Sequence, residues 1–218
     1  MSSPFQTKKI TFENKSIPII SVGSGMGKRE KELINLGYKV ICIDPTKQNK
    51  DRWFPIKRVM KSNYKYVNDL IENNKDIIGN CNLLIEYPMT DYITYDFCSI
   101  YDLQPIEVII LTTVGPTSGS ILLHYWLNKY GINTTNKQIT MKSLAQELGI
   151  TFNIELNYEL EIIDTMPKKC IKFPDTFIYV KGKRKFEICN RNLLSQKKME
   201  EHMEVGVPRT LEILKLNQ

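Results

Sequence analysis

The chain has 218 residues, of which 42% are hydrophobic and 25% charged, proportions of an ordinary globular protein and enough for one sizeable domain. No apolar run approaches the length of a helical membrane span, and two histidines with no C-x-x-C pair among five cysteines argue against a His/Cys metal site. The net charge of +6 suits a polyanionic partner without requiring one.

Residues 1–16 are polar and read as an arm or a short helix. They contain no apolar core of the signal-peptide kind, so a cytoplasmic protein with reduced, mostly buried thiols is expected. Ile17 to Val22 reads as the first strand. Three glycines at alternate positions follow, Gly23, Gly25 and Gly27, and then a helix from about Lys28 to Asn35 that Gly37 stops. Tyr38 to Ile43 reads as the second strand. Asp44-Pro45 breaks it, because proline cannot donate to a ladder.

Trp53 to Val59 offers a short third strand, and Tyr66 to Asn74 a helix with Val67, Leu70 and Ile71 on one face. Leu83 to Pro88 is a fourth strand, and Tyr92 to Tyr101 reads as helical. Glu107 to Thr112 is almost continuously apolar, the mark of a strand buried on both faces of a parallel sheet. A turn, Gly115 to Gly119, leads into a helix from about Ser120 to Lys129.

After Gly131 the pattern changes. Lys142 to Leu148 is a short helix. Phe152, Ile154, Leu156, Tyr158, Leu160 and Ile162 then alternate onto one face of a strand. Phe177 to Val180 and Phe186 to Ile188 read as short strands around a Lys181-Gly-Lys turn, a late antiparallel addition to the sheet. Leu193 to Met203 reads as a polar helix. With no repeat and no linker, one domain spans 1–218, with an arm at 1–16 and a tail at 191–218.

A strand, a tight glycine turn and a helix N-terminus together make a site for a nucleotide-like ligand. The bare backbone lets the ligand approach, and the first helical amides are free to donate. Asp44, 21 residues after Gly23, ends the next strand, where a carboxylate can accept both ribose hydroxyls. The spacing separates two ligands. Dinucleotide sites use G-x-G-x-x-G, but here the third glycine falls one residue early and Lys28 occupies its place, which disfavours a nicotinamide cofactor.

G-x-G-x-G after an apolar strand resembles motif I of the class I S-adenosylmethionine-dependent methyltransferases. The resemblance covers, in outline, about residues 17–190. It implies an α/β, Rossmann-like, seven-stranded, mostly parallel sheet with helices on both faces and a C-terminal antiparallel hairpin. It implies S-adenosyl-L-methionine as cofactor, bound by Val22, Gly23, Ser24, Gly25, Gly27, Asp44 and Pro45. The family often carries an acid two residues before the first glycine, and Ser21 stands there.

Catalytic groups in that family gather at the end of the fourth strand. Amino-methylating members show Asp/Asn-Pro-Pro-Tyr/Phe, whose first side chain and a backbone carbonyl hold the amino nitrogen. Tyr87-Pro88-Met89 lacks both the acid or amide and the second proline, so amino methylation by that route is disfavoured. Glu86, Tyr87 and Asp91, with Tyr92, are the candidates for acceptor contacts or general-base work. The plainer alternative has Glu86 facing solvent and the tyrosines packing.

A loosely described group of methyltransferase-like proteins is also similar, at Val22 to Gly27, Trp53, Tyr87-Pro88 and Gly115 to Gly119. The last of these turns could bind an anion, or cap its helix through Thr117 or Ser118, which is the preferred reading. His124 reads as a packed helix residue and His202 as exposed. The cluster Lys181 to Lys185 could face nucleic acid, although a solvated basic surface is simpler. Three functions stay open: a methyltransferase of unidentified acceptor, an inactive methyltransferase-like scaffold, and an RNA-directed methyltransferase.

Overall fold

The structure, a computed structural model, describes residues 10–23, 28–43, 70–88, 95–114, 118–134, 156–166 and 176–188. Six strands form one sheet: β1 (Ile19–Val22), β2 (Val40–Ile43), β3 (Asn82–Glu86), β4 (Glu107–Thr113), β5 (Tyr158–Met166) and β6 (Phe177–Arg184). Their order across it is β2-β1-β3-β4-β6-β5. The pairs β1–β2, β1–β3 and β3–β4 are parallel, whereas β6 runs antiparallel to both β4 and β5. Parallel strands alternating with helices, then an antiparallel pair, is the order expected from the sequence. The expected third strand and the helices at 142–148 and 193–203 lie outside the described residues. Of the helix expected at 66–74, residues 70–73 are described and are helical.

Strand alternation divides the core into two clusters. Ile20, Val22, Leu83, Ile85, Val108, Ile110, Ile178 and Val180 pack with Phe97, Ile100 and Leu103 of α2 (Tyr95–Leu103) and with Leu123, Trp126 and Leu127 of α3 (Ile121–Lys129). Ile19, Leu84, Ile109, Leu111 and Tyr179 pack instead with Leu33 of α1 (Lys28–Asn35). Every residue of β4 is buried, as its apolar run implied. Ile10 and Phe12 join the α1-side cluster, and the Tyr38 hydroxyl donates to the Phe12 carbonyl at 2.7 Å. Ile10 and Phe12 are therefore core, where a polar arm or helix was expected.

α1 ends where its sequence says. Gly37 adopts φ +89°, its amide donates to Ile34, and the Tyr38 amide donates to Leu33. These two bonds close the last turn on a left-handed glycine.

The late strands differ from expectation. β6 is one strand of eight residues that runs straight through Lys181-Gly-Lys, so there is no turn there, and Phe186 to Ile188 is not a strand. Gly182 pairs with Val108 on one side and Leu160 on the other. A Cβ built on it would stand 2.5 Å from Leu160 Cδ2 and 2.8 Å from Val108 Cγ1. The glycine thus marks a close approach of neighbouring side chains in a strand interior. On β5 the alternation keeps Tyr158 and Leu160 with the α2/α3 cluster but fails at a bulge between Ile162 and Asp164, leaving Ile162 45% exposed.

Gly182→Val tests this placement. Overpacking between β4 and β5 should lower unfolding stability in urea by about 1–3 kcal/mol. Unchanged stability would return Gly182 to an open turn.

Candidate functional site

In parallel α/β sheets, ligands bind beyond the carboxyl ends of the strands. Here that rim begins at Gly23, which takes φ +80°, a conformation that favours glycine. Its amide donates to the Ile43 carbonyl at 2.8 Å, and Val22 pairs with Ile43 in register. The first residue of the glycine turn is therefore hydrogen-bonded to the residue before Asp44. Val22 itself is fully buried. Ser24, Gly25, Gly27, Asp44, Pro45, Asp91 and Tyr92 lie outside the described residues.

Two side chains of the first turn of α1 reach the rim. Glu30 is 2% exposed and accepts the Ser21 hydroxyl at 2.6 Å. Arg29 spreads its guanidinium over three acceptors: Nε to Glu86 at 3.1 Å, Nη1 to Glu32 at 3.0 Å, and Nη2 to the Tyr179 hydroxyl at 3.0 Å. The register explains the meeting. Glu86 pairs with Leu111, which pairs with Tyr179, so the three lie in one row across β3, β4 and β6. Arg29 closes that row from above.

Burial opposes charge in this layer. It lifts the Glu86 carboxyl above its usual range; Arg29 pulls it down, and nearby Glu30 pushes it up again. For Arg29, burial works against the charge but Tyr179 and Glu86 more than compensate, so its pKa is raised. Glu86 is thus neither solvent-facing nor free; it is a partly buried carboxylate oriented by an arginine.

Tyr87 follows with φ +51°, unusual for a residue with a side chain, and the residue is 39% exposed. The amide donates to Leu111, and the ring meets Phe177 edge-on at 5.4 Å between centroids. Such strain collects at functional sites. Burial, with Tyr179 and Glu86 close by, raises its phenol pKa, which leaves it a poor base.

The Pro88 carbonyl accepts two hydrogen bonds, from Ser118 Oγ at 2.9 Å and the Gly119 amide at 2.7 Å. Both lone pairs are engaged, so this carbonyl cannot also receive an amino group. The helix beyond is capped by Ser120, whose Oγ accepts the Leu123 amide, and not by Ser118; Thr117 lies outside the described residues. Ser120 is fixed in turn by Asp96, which accepts its hydroxyl at 2.6 Å and its amide at 2.9 Å. Burial pushes the Asp96 carboxyl up to about 6. His124 is fully buried with Nε2 2.7 Å from the Ser118 carbonyl, a packed residue as expected.

The basic cluster is not an open cationic face. Lys181 pairs with Glu107, Lys183 with Glu13 and Lys185 with Glu159, while Arg184 donates to the carbonyls of Gly79 and Gln104. Sequence reasoning missed Arg29, Glu30 and Tyr179. The only local signal was the run of five charged residues, Lys28 to Glu32, directly after the glycine turn. Among the described residues no helix is long and apolar enough to cross a membrane, and no group of three or more His, Cys, Asp or Glu could hold a metal ion.

No family model matches the chain, and no curated protein matches it. Among solved structures, that of the 23S rRNA methyltransferase ErmE is similar over 86% of this chain and 69% of its own, at 13% identity and a TM-score of 0.38. The fold described above rests on the sheet itself and not on this likeness.

Arg29→Ala should destabilise the protein by on the order of 3 kcal/mol in urea unfolding, because it strands a partly buried carboxylate. Adding Glu86→Gln should recover part of the loss. Additive losses would show that the ion pair is not the reason.

Proposed function

We propose that the protein transfers a methyl group from S-adenosyl-L-methionine to an acceptor at the carboxyl rim of the sheet. The observation that supports this most is the 2.8 Å hydrogen bond from the Gly23 amide to the Ile43 carbonyl. It sets the glycine turn beside the strand end that continues into Asp44. A ligand spanning the two would lie against the backbone of Gly23, Ser24, Gly25 and Gly27 above Val22, with Asp44 accepting the ribose hydroxyls and Pro45 ending the strand. The same reading completes the sheet with a seventh strand, covers both its faces with helices, and puts the protein in the cytoplasm.

The reaction is an in-line displacement at a methyl carbon activated by the adjacent sulfonium. The protein's task is chiefly to bring the reactants together and exclude water. No elaborate catalytic constellation is needed. On the acceptor side we assign Glu86, Tyr87 and Asp91. The raised pKa of Glu86 suits a proton acceptor, and Arg29 keeps its carboxylate in one orientation.

The second reading is a methyltransferase-like scaffold without turnover. The doubly engaged Pro88 carbonyl favours it, since that acceptor is closed to an amino substrate. An RNA acceptor is a finer form of the first reading, motivated by the net charge of +6. With Lys181, Lys183 and Lys185 paired to acids, its phosphate contacts would come chiefly from other lysines.

Calorimetric titration separates these cases. The wild type should bind S-adenosylmethionine and S-adenosylhomocysteine but not NAD. Asp44→Ala should weaken binding by roughly tenfold or more through loss of charge-assisted hydrogen bonds. No binding, or equal binding by Asp44→Ala, would overturn the cofactor assignment. Binding without methyl transfer to nucleic acid, protein or small molecules would favour the scaffold.

A further inference from the structure

We propose that the Glu30 carboxylate is the partner of a ligand ammonium group at the carboxyl end of β1. The assignment rests on the proposed function: the ammonium is the α-amino group of the cofactor's methionyl portion.

Glu30 is the third residue of α1 and 2% exposed. Its Oε1 accepts the Ser21 hydroxyl at 2.6 Å, two residues before Gly23. Its Oε2 is buried and meets no hydrogen-bond donor. Arg29, next in the chain, is turned to Glu86 and Tyr179 and does not neutralise it. A buried carboxylate oxygen left without a donor is costly, and such groups in native proteins call for an explanation. The N-terminal turn of a helix offsets part of that cost, but it provides no donor to Oε2. A cationic donor from a bound ligand completes the shell.

The position agrees. Ser21 occupies the place at the end of β1 where an acid would precede the glycines, and its hydroxyl donates to Glu30. The carboxylate has in effect moved from the strand to the facing helix. Because Ser21 occupies Oε1, Oε2 is the atom left for the ligand.

The test titrates S-adenosylmethionine and methylthioadenosine, which lacks the amino-acid portion, into three proteins: wild type, Glu30→Gln, and Ser21→Asp/Glu30→Gln. Glu30→Gln should weaken S-adenosylmethionine binding roughly 10- to 100-fold and leave methylthioadenosine unchanged. Ser21→Asp/Glu30→Gln should restore most of the loss by returning an acid to the strand. Equal S-adenosylmethionine affinity in wild type and Glu30→Gln, or parallel loss of both ligands, overturns the assignment while the cofactor reading stands. A wild type that binds neither overturns the cofactor reading and the assignment together. Should Glu30→Gln not fold, the wild type is titrated with S-adenosylhomocysteine and its α-deamino analogue. A tenfold or greater loss for the analogue is expected, and equal affinity overturns the proposal.

Discussion

One hydrogen bond organises the functional rim: the Gly23 amide to the Ile43 carbonyl, 2.8 Å. It depends on Gly23 lying at φ +80°, where a residue with a Cβ would be strained. Because β1 and β2 are parallel and in register at Val22 and Ile43, their carboxyl ends finish level. The chain leaves β1 into α1 and leaves β2 into Asp44 at the same height. Were Gly23 displaced, this bond between the two strand ends would be lost. α1 follows directly and carries Arg29 and Glu30 in its first turn, so the geometry of those two side chains descends from the same glycine.

The second half of the rim is held differently. Arg29 ties α1 to β3 through Glu86 and to β6 through Tyr179. The antiparallel insertion of β6 beside β4 is what brings Tyr179 into the row. The neighbouring turn is anchored by Asp96, Ser120, Ser118 and the Pro88 carbonyl. These contacts leave the Tyr87 ring as the partly exposed group at the end of β3, beside Phe177. In the proposed reading the glycine turn offers the cofactor bare backbone, which a sequence pattern records, whereas the acceptor side is made of side chains that only the fold brings together.

The parts of the fold legible in the sequence are those set by local rules. The bounds of α1 follow from the glycines on either side, and β4 from its uninterrupted apolar run. What was not legible depends on partners distant in the chain. Gly182 looks like a turn beside lysines, yet its neighbours are Leu160 and Val108 on other strands. Ile10 and Phe12 sit in a polar stretch and are buried only because the α1-side cluster has room for them. Glu86 was singled out from its place at a strand end, but its arginine partner lies 57 residues away and no spacing rule links them. Ser21 looked like a missing acid; the carboxylate beside it is that of Glu30, nine residues on, and only the packing of α1 against β1 brings them together.

The most direct test of the central claim is a two-dimensional amide spectrum of the isotope-labelled protein titrated with S-adenosylhomocysteine. The account predicts saturable shifts concentrated at residues 21–27 and at Asp44, with the amides of β5 unmoved. An unchanged spectrum, or shifts confined to other parts of the sheet, would contradict it.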